Sequence, residues 1–189
     1  MANRHRVTDD LEEGFTLVEL LVVLLIIGIL LAIAIPTFLS ATTSANNTAA
    51  QADLKTALTG ADTYFTASGQ TYAFLDAPGG TASTISMIGT GEVYVSGTSA
   101  QGGASSGPHV ISLYVLGTGS AVVLTALAHG SLSDCWGILD IKTNLGASAW
   151  HGESAVGTYY FVAHNATATS CVAQTVTPAS ISSQAFPAA

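Results

Sequence analysis

The sequence has few charged residues and very few cations. Only 8% of its 189 residues are charged, and four Lys or Arg side chains stand against twelve Asp or Glu, which gives a net charge of −8. Nucleic-acid binding depends on clustered cations that neutralise phosphates. Of the four cations, Arg4 and Arg6 lie near the N-terminus, and the segment after Phe15 keeps only Lys55 and Lys142. We therefore expect no nucleic-acid partner recognised through a basic patch.

The sequence also lacks the motifs of common catalytic and metal sites. It has no G-x-S-x-G, no H-E-x-x-H and no phosphate-binding loop. No two histidines lie four residues apart on a predicted helix, and none is adjacent to a cysteine. The five histidines are His5, His109, His129, His151 and His164. We therefore expect no catalytic residue, no metal site and no cofactor, which argues against an enzyme.

One long apolar run lies near the N-terminus, from Phe15 to Ile35. Of its 21 residues, only Thr16 and Glu19 are clearly polar. As a helix it would span about 31 Å, which matches a bilayer core of about 30 Å. A carboxylate inside hydrocarbon costs on the order of 3 kcal/mol. Glu19 therefore predicts either a partner or a functional role.

The charges on either side of this run predict its orientation in a membrane. Arg4 and Arg6 precede it, and no cation follows it before Lys55. This asymmetry predicts a cytoplasmic N-terminus and an exported C-terminal part. A cleaved secretory signal is the alternative, with Ala32-Ile33-Ala34 as its site. We favour a retained segment because the run exceeds the usual length of a signal core and Pro36 follows that site closely.

The sequence has two cysteines, Cys135 and Cys171, both in the part predicted to be exported. An oxidising compartment allows them to pair. In the chain-entropy description, the closed loop would stabilise the fold by roughly 3–4 kcal/mol. The alternative is two free buried thiols. We favour the disulfide because unpaired exported thiols are uncommon.

A single long helix is predicted from Phe15 to about Ser68, where Ser68-Gly69 is typical of a helix end. Past the apolar run the pattern becomes one-sided. Apolar residues then recur at helical spacing as Leu54, Ala57, Leu58, Ala61 and Phe65. This stripe predicts that the C-terminal half of the helix packs on a core.

Gly28 and Pro36 interrupt the helical pattern. Proline removes a backbone hydrogen bond, and glycine adds backbone freedom. One interpretation is that a membrane helix tolerates both residues. The other is a segment that changes between helical and extended conformations when its surroundings change. The residues alone leave these two interpretations open.

Short β-rich runs separated by glycine-containing turns follow the helix. Their spacing favours an antiparallel meander over parallel βαβ units. One long helix followed by strands predicts an α+β fold, with the sheet packed on the helix. After Pro178 the tail is expected to be loose. The predicted strands are Thr84–Ile88, Glu92–Val95, His109–Leu116, Ala121–Ala128, Cys135–Ile141, Thr158–His164 and Ser170–Gln174.

The segment Gly14-Phe15-Thr16-Leu17-Val18-Glu19-Leu20-Leu21-Val22-Val23 closely resembles the prepilin signature of type IV pilins and related pseudopilins. Gly28 and Pro36 also match positions where that family has a helix glycine and a proline. The resemblance is detailed from Gly14 to Pro36. It implies a type IV pilin-like α+β fold with a long N-terminal helix, an antiparallel sheet and a disulfide-bounded loop.

The resemblance also implies a function. A prepilin peptidase would cleave between Gly14 and Phe15, and Phe15 would be N-methylated. The precursor would be held in the cytoplasmic membrane. The pilus assembly machinery would then polymerise it with copies of itself into a filament on the cell surface. Glu19 would pair with the Phe15 terminus of a neighbouring subunit.

These expectations divide the chain into a cleaved leader (1–14), a transmembrane and assembly half of the helix (15–36), an amphipathic half (37–68) and a β-rich head with a connecting region (69–189). A structural pilin is the leading hypothesis. A pseudopilin of a type II secretion or DNA-uptake machine is the alternative, and a membrane-tethered enzyme or binding module is a third.

Overall fold

The computed structural model describes residues 14–73, 75, 91–98, 103–129 and 133–187. The predicted strand Thr84–Ile88 and nearly all of the predicted leader lie outside these residues. The described part contains one long helix, a six-stranded sheet and a short 3-10 helix. These are α1 (Leu17–Ala67), β1 (Val93–Ser96), β2 (Val110–Leu116), β3 (Ala121–Leu127), β4 (Cys135–Ile141), the 3-10 helix (Gly146–Ser148), β5 (Gly157–Ala163) and β6 (Ser180–Ser182). This is the predicted α+β arrangement.

The sheet follows the chain in the order β1-β2-β3-β4-β5-β6. Every neighbouring pair is antiparallel except β1 and β2, which are parallel. The predicted meander is therefore confirmed for β2 to β5, whose bounds differ from the predicted ones by at most one residue at either end. The parallel pair departs from it.

The chain forms two compact units, the first ending at Ser40 and the second beginning at Ala41. Helix α1 contributes to both. Its ending confirms the predicted stop, because Gly69 adopts a left-handed φ of 74° and the Gln70 amide donates to the Phe65 carbonyl at 2.9 Å. This bond, from just past the helix back to its last turn, is the Schellman ending that glycine permits.

One face of the sheet packs on the second half of the helix. Trp136 and Ile138 of β4 lie in one core cluster with Leu54 and Ala57 of α1. The predicted stripe is buried or half-buried along its length. Asn47 extends the contact, because its Oδ1 accepts a hydrogen bond from Trp136 Nε1 at 3.1 Å. The amphipathic half of the helix therefore supplies one wall of the core.

Loops cover the opposite face of the sheet. Cys135 and Leu139 of β4 cluster there with Trp150, Phe161 and Cys171. The disulfide joins Cys135 to Cys171, with a Cα–Cα distance of 5.5 Å. The predicted pairing is thus confirmed, and it attaches the loop after β5 to the centre of the sheet.

The predicted strand Ser170–Gln174 is wrong. The backbone there makes local turns, with the Cys171 amide donating to Thr167 and the Thr175 amide donating to Val172. The Cys171 carbonyl accepts from the Ser105 amide at 2.9 Å. The disulfide and these local bonds hold the segment across the sheet face as a cover.

The tail after Pro178, predicted to be loose, is also ordered. Ser180–Ser182 pairs with β5, with Ile181 opposite Phe161. Phe186 then makes edge contacts with Trp136 and Tyr160, at centroid distances of 5.7 and 4.8 Å. A single aromatic anchor and a three-residue strand give too short a pattern for periodicity to detect.

A buried polar network connects the helix to the sheet. Asp140 on β4 is 2% exposed and accepts hydrogen bonds from Tyr72 at 2.6 Å and Thr158 at 2.8 Å. Lys142 lies 3.0 Å from Asp140 and 2.8 Å from Asp62 of α1. Burial alone would lower the pKa of Lys142, but its bonds to the two carboxylates raise it overall. One of the two cations after residue 15 therefore balances a buried carboxylate.

The same network makes the fold sensitive to alkaline pH. Burial, followed by the hydrogen bond and charge of Asp140, raises the pKa of Tyr72 far above its ordinary value. An unfolded tyrosine ionises near pH 10. A raised folded-state pKa gives stability that is complete below that pH and is lost above it. The raised pKa of Lys142 acts in the same direction.

We predict that the free energy of unfolding falls as the pH rises above about 10, and that Tyr72→Phe makes this fall shallower. Chemical denaturation of the full chain in detergent at a series of pH values measures it. Tyr159→Phe is the control, because the Tyr159 hydroxyl donates to the Ala155 carbonyl and not to a carboxylate. Equal slopes for the wild type and Tyr72→Phe would contradict the assignment.

Candidate functional site

The first turn of helix α1 contains the polar residues of the apolar run. Thr16 is the N-cap, since its carbonyl accepts the first helical bond from the Leu20 amide at 3.2 Å. Its side-chain Oγ1 accepts a hydrogen bond from the Glu19 amide at 3.2 Å. The same hydroxyl lies 3.5 Å from Glu19 Oε2, to which it donates. The two side chains are thus hydrogen-bonded to each other. The Thr16 hydroxyl also accepts from the Glu19 backbone amide, which has no acceptor within the helix.

The pattern Thr16-x-x-Glu19 before an apolar run is the sequence form of a capping box. Sequence reasoning assigned Glu19 to assembly but passed over this local role. It also placed the helix start at Phe15, whereas α1 begins at Leu17. The cap explains the difference, because the N-cap residue lies outside the helical turns.

The charge of Glu19 has no cationic partner nearby in sequence. Residues 14–40 contain no Lys, Arg or His, and the Thr16 hydroxyl is neutral. The macrodipole at the helix start favours a carboxylate there, but by less than the cost of burying it in hydrocarbon. Phe15, Glu19, Leu20 and Val23 line one shallow groove. The carboxylate and the residue predicted to become the new N-terminus therefore border the same surface.

The first half of the helix exposes apolar side chains around its whole circumference. Among the described residues, α1 is the one helix that is long and apolar enough to cross a membrane, and its most apolar part has no buried residue. Eighteen large apolar side chains between Phe15 and Leu39 are exposed, from 45% at Val22 to 87% at Phe15. A surface of this kind requires lipid or other protein to cover it.

Helix α1 continues through both interrupting residues. Pro36 lies inside it, and the Thr37 hydroxyl donates to the carbonyls of Ile33 and Ala34 at 3.2 and 2.9 Å. This hydroxyl adds side-chain bonds in the turn that the proline weakens. A Cβ built on Gly28 meets nothing within 4 Å, so packing within the chain does not require glycine there.

The structure also brings together three side chains that sequence spacing could not connect. Asp53, Glu92 and His109 place their ligand-type atoms within 4.8 Å of one another. They come from the helix and from the residues preceding β1 and β2. The other histidines do not join them in such a group among the described residues.

We predict that Thr16→Ala loosens the first helical turn by about 1 kcal/mol, the usual effect of losing a cap. Hydrogen exchange of the Glu19 and Leu20 amides, followed by NMR in detergent micelles, measures it. Thr37→Ala is the matched control, because the Thr37 hydroxyl bonds to helix carbonyls and caps no amide. Unchanged exchange in Thr16→Ala would show that the cap contributes nothing.

Comparison with known proteins adds one match. Residues 11–35 match the family model of the prokaryotic N-terminal methylation motif. No curated protein and no solved structure matches the chain. The match covers the capped helix start, Glu19 and most of the exposed apolar run. Residues 11–35 therefore carry the type IV pilin and prepilin signature, and the motif supports a type IV pilin-like or pseudopilin protein.

Proposed function

We propose that this chain is a structural subunit that polymerises through its N-terminal helix into a type IV pilus. The observation that carries the proposal is the methylation motif at residues 11–35 on a helix half whose apolar surface is exposed on all sides. The cytoplasmic membrane covers this surface in the precursor, and neighbouring helices cover it in the filament. The role is structural and not catalytic.

The precursor is held with its N-terminus in the cytoplasm and its β-rich part outside. Arg4 and Arg6 precede the span and no cation follows it before Lys55, which supports this orientation. A prepilin peptidase then cuts between Gly14 and Phe15. The capping residues Thr16 and Glu19 both follow the cut, so cleavage leaves the helix start intact.

Cleavage creates the cation that Glu19 lacks. A peptide α-amino group ionises at about pH 8, so the new amine of Phe15 is mostly protonated at neutral pH, and N-methylation keeps its charge. It lies beside the positive end of the helix macrodipole, which is unfavourable for a cation. A carboxylate from a neighbouring subunit offsets this. Pairing Glu19 with the Phe15 ammonium of the next copy buries both charges together, which costs far less than burying either alone.

A pseudopilin of a secretion or DNA-uptake machine is the second candidate, because the same motif supports it. The Cys135–Cys171 disulfide and the large Gly-, Ser- and Thr-rich head favour the pilus subunit. Electron microscopy of the host surface separates the two. Long filaments that contain this chain support the pilus subunit, and short envelope-bound assemblies support the pseudopilin.

We predict that the exported chain begins at Phe15 and carries one added methyl group on its amine. Mass spectrometry of the protein purified from its host measures both. Gly14→Val is the companion variant, and its precursor should accumulate uncut. A Cβ at Gly14 meets nothing within 4 Å, so this variant perturbs recognition by the peptidase and not the fold. An N-terminus near Ala34 would contradict the proposal.

A second prediction separates the charge of Glu19 from its capping role. Glu19→Gln keeps the length and capping capacity of the side chain but removes its charge. Because leaving one buried charge unpaired costs roughly 3–5 kcal/mol, we expect this variant and Glu19→Ala to lower filament yield by more than about tenfold. Sheared filaments quantified against membrane-bound subunit measure the yield.

Thr16→Ala is the control for this series, because it removes the cap and keeps the carboxylate. It should insert and assemble nearly as well as the wild type. Normal yield from Glu19→Gln together with low yield from Thr16→Ala would show that capping, and not charge pairing, is what assembly requires.

A further inference from the structure

Asp53, Glu92 and His109 converge in the second compact unit, although they are far apart in the sequence. His109 Nδ1 lies 3.2 Å from Asp53 Oδ1 and 3.5 Å from Glu92 Oε2. All three ligand-type atoms lie within 4.8 Å of one another. Among the residues that the structure describes, this is the one group of three such side chains.

Sheet register produces the convergence. Strands β1 and β2 are parallel, with Val93 opposite Val110. The residues that precede these two, Glu92 and His109, are therefore neighbours at the same end of the strand pair, and the Val93 amide donates to the His109 carbonyl at 2.8 Å. His109 adopts a left-handed φ of 57°, which is uncommon outside glycine. Asp53 reaches the pair from helix α1.

Glu92 is the residue that points to a ligand. Its side chain is only 7% exposed, and its Oε2 atom is buried without a hydrogen-bond partner. Its contact with His109 Nδ1, at 3.5 Å, is an ion-pair distance that is long for a hydrogen bond. A buried carboxylate oxygen without a hydrogen bond is costly. Such an atom in a native fold calls for an explanation, and a bound cation is one.

The two distances from His109 Nδ1 fit a small divalent ion, and the third, between the carboxylates of Asp53 and Glu92, is no longer than 4.8 Å. Ligands about 2.0–2.1 Å from a tetrahedral metal lie roughly 3.3–3.4 Å from one another, close to the 3.2 and 3.5 Å measured from His109 Nδ1. An imidazole nitrogen with two carboxylates is a ligand set for transition metals, whereas Ca²⁺ and Mg²⁺ prefer oxygen alone. A cleft lined by Asp53, Pro108, His109 and His129 gives ions and water access to two of the three side chains, Asp53 and His109.

We propose that Asp53, Glu92 and His109 bind a divalent transition-metal ion of the Zn²⁺ type, each through one ligand atom, with water completing the coordination. The ion would connect the edge strand β1 and the start of β2 to helix α1.

The electrostatics of the group support this assignment. Burial raises the pKa of Glu92, and the charge of Asp53 raises it further, whereas the nearby His109 lowers it. Two carboxylates this close repel each other. A divalent cation between them removes the repulsion and supplies the bond that Oε2 lacks.

The test uses the full chain in detergent, without a metal-binding tag and after treatment with a chelator. Competition with a chromophoric chelator measures the uptake of Zn²⁺, and circular dichroism measures its effect on the melting temperature. We expect one tight site per chain and a higher melting temperature with Zn²⁺ than with Ca²⁺. Glu92→Gln and His109→Asn should each weaken the affinity for Zn²⁺ by more than about tenfold, since the loss of even an outer-shell partner costs that much.

His164→Asn is the matched control. His164 Nδ1 lies 2.9 Å from Asp134 Oδ1, so it is a histidine beside a carboxylate but without the third ligand, and its loss should leave the tight site unchanged. Melting temperatures of the metal-free variants check that each one folds. The proposal is overturned if the wild type takes up no stoichiometric Zn²⁺. It is also overturned if a folded Glu92→Gln or His109→Asn binds Zn²⁺ as tightly as the wild type.

Discussion

The apolar surface of residues 15–39 is the constraint on which the proposed assembly depends. Burying each large apolar side chain gains roughly 1.5–3 kcal/mol, so eighteen exposed ones gain on the order of tens of kcal/mol. The cost of a carboxylate in the membrane, about 3 kcal/mol, is small beside that sum. Glu19 therefore does not prevent insertion. Apolar contacts have no preferred direction, so they do not determine the register of one helix against another. A single charge within the apolar surface can determine it, because it must lie next to its partner.

The rest of the chain has few charged side chains that could join the helix to the sheet. Only Lys55 and Lys142 are available after the apolar run. Lys142 joins Asp62 of the helix to buried Asp140 of the sheet, and Lys55 lies over the Phe186 ring at 5.9 Å. The disulfide then attaches the covering loop to β4. Each cation and the one disulfide joins elements that are distant in sequence.

The sequence predicts well the elements that have a regular pattern of apolar residues. Periodicity located helix α1 and strands β2 to β5, and the compartment argument paired Cys135 with Cys171. The failures have physical causes. Strand β6 is three residues long and is held by Phe186, and Ser170–Gln174 has a β-rich composition but is turned by local bonds. The meeting of Asp53, Glu92 and His109 depends on a parallel register that no local pattern encodes. The Thr16-x-x-Glu19 pattern of the capping box is visible in the sequence, but the sequence prediction did not include it.

That capping box changes how the carboxylate is understood. A Glu at the third helical position is explained locally, since it completes a cap with Thr16. A glutamine would complete the same cap and would cost less to bury, because an ionised group is far more expensive than an amide to remove from water. Capping alone therefore does not account for a charged residue in this position. The charge is favourable only if a cation lies next to it, and residues 14–40 contain no cationic side chain. Under the proposed function, the amine that cleavage before Phe15 would release is that cation, so the charge of Glu19 would find its partner only after cleavage.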